Sequence, residues 1–178
     1  MARLLCSLVG LLFAVILLAA PVQASLTSDS YDGNIYALYA GNGSLVPPAT
    51  SLRDSQAAGR TTILVFYLDD SSTSKAFAPV VSELQRLWGR AVDLMPLTTD
   101  ALQGREAEGP GDPATYWHGR IPQVVVLDGK GAILLDEEGQ VSLDAINKAV
   151  SKATGIAGPE GVTTSVSFNE LNTEVQTR

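Results

Sequence analysis

Along the chain, apolar positions fall into a few runs whose spacing predicts the elements. Residues 25–34 are polar and rich in Ser, Asp and Gly, which predicts a lead-in loop. Ile35-Tyr36-Ala37-Leu38-Tyr39 has the aliphatic and aromatic composition of a strand. Gly41-Asn42-Gly43-Ser44 and Pro47-Pro48 are turn signals, and Ser51 is placed to cap a short helix ending near Gly59. Thr61 to Leu68 is continuously apolar and β-branched, the pattern of a strand buried on both faces. Asp69 to Ser74 then offers N-cap residues and negative charge where a helix would begin. Phe77, Val80, Val81, Leu84, Leu87 and Trp88 recur at helical spacing, with Pro79 inside the pattern as a kink and Gly89 as its end.

The second half reads as strand, loop, hairpin and helix. Val92–Leu97 is a strand candidate, and residues 101–113 form a Gly/Pro-punctuated loop. One helical turn fits Ala114–His118. Gln123–Leu127 and Ala132–Leu135, separated by Asp128-Gly129-Lys130-Gly131, carry a hairpin signature. Ser142 opens a last helix with Leu143, Ile146 and Val150 on one face, closed by Gly155. The remainder, 156–178, is a polar tail. No internal repeat is present. A βαβ unit followed by a hairpin and a helix predicts an α/β fold with a mixed sheet and helices on both faces.

The N-terminus reads differently. Met1-Ala2-Arg3 is basic, Leu4 to Ala20 is unbroken apolar or small, and Val22-Gln23-Ala24 places small residues at −3 and −1 of a cut before Ser25. This is the three-part export signal. The apolar run also reaches the short limit of a membrane span, about 17–25 residues. Two outcomes therefore stand for residues 1–24: a cleaved signal peptide, or an anchor retained through residues 4–20. Both export the rest of the chain. Residues 25–178 are enough for one domain.

Composition narrows the chemistry. Of 178 residues, 12 are Lys or Arg and 19 are Asp or Glu, for a net charge of −7. Loss of residues 1–24 removes Arg3 and no acid. Such a chain lacks the basic footprint that neutralises phosphates, so no nucleic acid partner is expected. The only cysteine is Cys6. Residues 25–178 thus have no disulfide, thiolate nucleophile or Cys-held metal. The only histidine is His118, which excludes a His-rich metal site, and no metal or other cofactor is expected. His118 beside Tyr116 and Trp117 fits loop packing or a binding cluster. A Ser–His pair with Ser71 or Ser74 lacks an accompanying G-x-S-x-G elbow. Asp136-Glu137-Glu138 lacks the alternating spacing of a calcium loop and fits a solvated turn. Gly41-x-Gly43 lacks the third glycine and the lysine of a phosphate loop.

The turn Asp70-Ser71-Ser72-Thr73-Ser74-Lys75 after a buried strand, with Pro79 four residues beyond the lysine, resembles the W-C-x-x-C-K turn and following proline of the thioredoxin family. Ile121-Pro122 before the hairpin resembles that family's second mark, an Ile-Pro dipeptide with a cis bond. The resemblance covers residues 35–155 and implies a thioredoxin-like domain there. The departures are chemical. Ser71 and Ser74 stand at the two cysteine positions around Ser72 and Thr73, Asp70 stands at the tryptophan, and Val65 at the family's buried carboxylate. Hydroxyls form no disulfide and are weak nucleophiles near neutral pH. The resemblance therefore implies the scaffold without its redox chemistry. Asp69 and Asp70 supply their own negative charge where a free helix start would otherwise attract an anion. Ile121 and Pro122 retain the place where thioredoxins pair with an extended client, or else serve only as a turn.

A narrower resemblance spans Ser30 to Pro48, Val65 to Ser71 and Ser167 to Asn172. These stretches are similar to a cyanobacterial family of thioredoxin-like thylakoid membrane proteins described as photosystem I accumulation factors. That resemblance implies a protein of the thylakoid lumen or membrane with no catalysis of its own. Its partners would be photosystem I subunits or assembly factors, met through Asp69, Asp70, Ile121 and Pro122. The alternative, from another class, is an exported enzyme or partner-dependent redox protein needing no thiol of its own.

Overall fold

The structure is a computed structural model that describes residues 25–158. The expected export segment, 1–24, and the tail beyond Gly158 lie outside the described residues. No helix among the described residues is long and apolar enough to cross a membrane.

Four strands form one sheet in the order β2-β1-β3-β4. They are β1 (Thr62–Tyr67), β2 (Asp93–Thr98), β3 (Gln123–Leu127) and β4 (Ile133–Glu138). β1 pairs parallel with β2, Thr62 opposite Asp93, and antiparallel with β3, Thr62 opposite Leu127. β3 pairs antiparallel with β4, with an irregularity at Val126 and Leu127. β1 and β3 are buried along their whole length, as their uninterrupted apolar runs require.

Helices cover both faces: α1 (Ile35–Ala40), α2 (Leu52–Ala57), α3 (Ser72–Trp88) and α4 (Leu143–Thr154). Ile63, Val65, Val124 and Val126 point into one core with Ile35, Phe77, Leu84, Trp88, Ile146 and Val150, so α1, α3 and α4 share that side. Leu64, Phe66, Val125 and Leu127 pack on the other side with Leu52, Met95 and Tyr116. The alternation along each strand thus divides the core into two. Trp88 Nε1 donates to Asn147 Oδ1 at 2.7 Å, tying the end of α3 to α4 inside the first core. α3 runs unbroken through Pro79.

Three expectations need correction. Ile35–Tyr39 is helix α1, not a strand. The Asn34 side chain accepts from the N–H groups of Tyr36 and Ala37, and Gly41 ends the helix in the left-handed conformation at φ 61°. These caps and the alanines override the β-type composition, so among the described residues the sheet has no strand before β1. Asp136-Glu137-Glu138 is not a turn either: β4 continues through it, with these acids on the partly exposed outer strand. The polar segment 25–34 contains no helix or strand, yet it is not a free lead-in. It is bound across the start of α3.

Candidate functional site

The turn between β1 and α3 is built by its hydroxyls. Ser71 is the N-cap of α3, and its Oγ accepts from Ser74 N–H at 3.4 Å. Ser71 Oγ also lies 2.8 Å from Thr73 Oγ1. Ser74 is 1% exposed, and its Oγ accepts from Leu68 N–H at 3.2 Å, closing the backbone just past β1. Ser71 and Ser74, the two serines that the sequence resemblance sets against cysteines, therefore satisfy backbone donors at a helix start.

The strap 25–34 lies over this turn. Asp29 Oδ1 accepts from Ser72 N–H at 2.8 Å, so a carboxylate of the chain itself takes a free donor of α3. That bond holds the Asp29 carboxyl below the usual carboxylate range. Asp69 Oδ1 accepts from Ile35 N–H at 3.4 Å and fixes the start of α1. Burial, and then the nearby charges of Asp100 and Asp70, push the Asp69 carboxyl upward. Asp70 is exposed.

Lys75, fully buried at 0% exposure, anchors the strap. Its ammonium donates to the carbonyls of Ser25, Ser28 and Ser30 at 3.2, 3.0 and 2.7 Å, and to the Asp32 carboxylate. Asp32 also accepts from the Tyr39 hydroxyl at 2.6 Å. The Lys75 bond first, and the Tyr39 bond second, hold the Asp32 carboxyl well below the carboxylate range. Burial first, then the bond to Asp32, push the Tyr39 hydroxyl up to about 12. Every donor of the buried ammonium thus meets oxygen, as burial of a charge demands.

On the neighbouring loop the Ile121–Pro122 bond is cis, as the family pattern predicts; Val46–Pro47 is cis as well. Pro122 carbonyl accepts from Gly139 N–H at 2.7 Å. The N–H and C=O of Ile121 take no hydrogen bond among the described residues. His118 Nε2 lies 2.7 Å from Asp136 Oδ2, and the other Asp136 oxygen accepts from Gln123 Nε2 at 2.8 Å. Gln123 Oε1 in turn accepts from His118 N–H at 3.1 Å. This triangle pins the loop before Pro122 onto β3 and β4. It commits His118 to Asp136, and no hydrogen bond joins His118 to Ser71 or Ser74. Trp117 packs on Phe66 with ring centroids 5.4 Å apart, and the Tyr116 hydroxyl donates to Pro110 carbonyl at 3.0 Å, so this aromatic group is loop packing.

The strap contacts were not read from the sequence. One signal was present: Lys75 precedes Ala78 by three positions on the stripe that α3 buries. A lysine on a buried stripe requires an acidic partner. Nothing in the spacing singled out Asp32 from the other acids. Among the described residues no group of three or more His, Cys, Asp or Glu side chains is placed to hold a metal ion.

No family model matches the chain. Among solved structures, the exposed lipoprotein thioredoxin Etrx1 of Streptococcus pneumoniae aligns with a TM-score of 0.45 and 19% identity, over 57% of this chain and 89% of that one. The chain is 40% identical over 124 residues to a protein of Synechocystis sp. named thylakoid membrane protein slr1796. That alignment covers 70% of this chain and 62% of the relative, so the chain spans less than two thirds of the relative's length.

Proposed function

We propose that this chain is a non-catalytic factor of the thylakoid membrane or lumen that supports photosystem I accumulation by binding a protein partner. The partner is a photosystem I subunit or one of its assembly factors. One observation carries the non-catalytic part. The helix start that bears a reactive pair in thioredoxins is here made of hydroxyls spent on the backbone, under a strap held by Lys75 and Asp29. A site filled by its own chain suits recognition elsewhere on the scaffold better than turnover. The 40% identical thylakoid membrane protein and the export pattern of residues 1–24 support the compartment. The choice of photosystem I rests on the family resemblance of the sequence.

The partner meets the loop around cis-Pro122. Ile121 there offers an N–H and a C=O, both unpaired among the described residues, to an extended segment, the β-type mode of recognition. Acids exceed bases by 19 to 12, so a basic partner patch is favoured and the attraction weakens with salt. The test is affinity capture from thylakoids with the tagged full chain, followed by mass spectrometry. Photosystem I subunits or their assembly factors are expected in the captured set, diminishing as salt is raised. A set without them, or turnover of a thiol or ester substrate by the purified protein, contradicts the proposal.

A further inference from the structure

The first residue of the strap has a nitrogen in an unusual place. Ser25 N lies 3.3 Å from Asp32 Oδ2. The same oxygen receives Lys75 Nζ and the Tyr39 hydroxyl, while Ser30 Oγ donates to Oδ1 at 3.1 Å. The Asp32 side chain is 5% exposed. In the full chain Ser25 N is a peptide amide, a single neutral donor. The bond it makes with Ala24 is also the one that the Val22-Gln23-Ala24 pattern marks for export cleavage.

We propose that cleavage between Ala24 and Ser25 delivers the new α-ammonium group of Ser25 to Asp32, completing a buried ion cluster that fixes the strap over the start of α3. A membrane-bound signal peptidase adds one water across the peptide bond. Ala24 leaves as a carboxylate on the released segment, and the Ser25 nitrogen becomes an amine that takes up a proton near neutral pH. The nitrogen has no distance to travel, because it already donates to the carboxylate. Hydrolysis turns one neutral donor into three charged ones, and charge-assisted bonds are shorter and stronger.

The surrounding groups fit a second cation. On the strap, Asp29 and Asp32 are acidic. From α1, Tyr39 donates to Asp32, and from α3 comes Lys75. The Lys75 charge does not rely on Asp32 alone, since three carbonyl oxygens of the strap also face it. Asp32 therefore has lone pairs for both cations, being acceptor-only with two oxygens when ionised. Processing would in this way be sensed by the fold. An uncut chain holds the strap by Lys75 and amide contacts, and a cut chain adds a charged end to the same carboxylate.

The test uses the full chain, produced in cells that export and process it. Intact mass identifies the mature N-terminus, and an amine-specific acylating reagent at pH 7 reports α-amine reactivity peptide by peptide. The expected start is Ser25. Its α-amine is expected to label roughly tenfold more slowly than in an Asp32→Asn variant, since a neighbouring carboxylate that raises the amine pKa by about one unit lowers the free-amine fraction tenfold. Asp32→Asn deprives Lys75 of its anion and risks misfolding, so a second variant inserts one Gly between Ala24 and Ser25. This moves the ammonium by about 3.8 Å and leaves Asp32 and Lys75 intact. Its α-amine is expected to label as an exposed amine, with faster hydrogen exchange across residues 25–34 than in the unmodified protein. A mature start other than Ser25, or a Ser25 α-amine that labels as fast as that of the Gly-inserted chain, overturns the proposal.

Discussion

Ser74 tests whether the hydroxyls of the β1–α3 turn are structural. Replacing Ser74 with Ala removes one oxygen from a position 1% exposed and leaves Leu68 N–H without its acceptor. The bond is part-buried and its acceptor is buried, so the cost approaches that of an unsatisfied buried group, about 1–3 kcal/mol. Lost cavity volume adds little, because a hydroxyl is small. For a domain of this size each kcal/mol lowers the melting temperature by about 2–6 °C. Ser74→Ala is therefore expected to melt about 2–18 °C below the unmodified protein. Thr73→Ala provides the contrast: Thr73 is exposed and its hydroxyl bonds only Ser71 Oγ, so its effect should stay within about 0.5 kcal/mol. Thermal unfolding by circular dichroism measures both. Equal melting temperatures for Ser74→Ala and the unmodified protein would refute the assignment, and would leave the Ser74 hydroxyl free for some other role.

Other outcomes follow from the same geometry. Asn147→Ala strands the buried Trp88 indole N–H and should cost about 1–3 kcal/mol by urea unfolding; a change under about 0.5 kcal/mol would show that the bond carries no weight. Gly129→Ala drives a Cβ into the Gly59 carbonyl oxygen, so backbone must shift, and the midpoint of unfolding should drop where Gly41→Ser, with no atom within 4 Å, suffers only its own φ strain. Asp29, Asp32, Asp112 and Asp128 all have folded-state pKa values below their unfolded ones. Their stabilisation is present above the ordinary carboxylate range and is lost as pH falls through it toward the lower folded values, so the melting temperature should decline steadily below about pH 4. Asp69 has the opposite sign. Its raised pKa means that ionisation disfavours the fold, so Asp69→Asn should melt higher than the unmodified protein at pH 7, with the difference vanishing in acid.

The sheet was legible in the chain because its signals are local. The β1 and β3 runs, the Asp128–Gly131 turn and the caps Ser51 and Ser142 each sit where the pattern puts them, and the cap of α3, Ser71, falls within the Asp69–Ser74 run. Ile35–Tyr39 misled because side-chain composition spoke for a strand, while Asn34 and Gly41, the residues that decided the matter, lie just outside the run. The turn from Ser71 to Ser74 was located by its spacing from Lys75 and Pro79. Its covering was not, since Asp29 and Ser72 are joined only by the fold. The same holds for His118, Asp136 and Gln123, which come from a loop and two strands, and whose pairing no periodicity encodes.

The role proposed for this scaffold is to serve photosystem I by binding rather than by catalysis. Deleting its gene and measuring the ratio of photosystem I to photosystem II in thylakoids, under both low and high light, tests it most directly. A lower ratio is expected, restored by the unmodified chain and equally by one with Thr73→Ala. An unchanged ratio under both light conditions would contradict it.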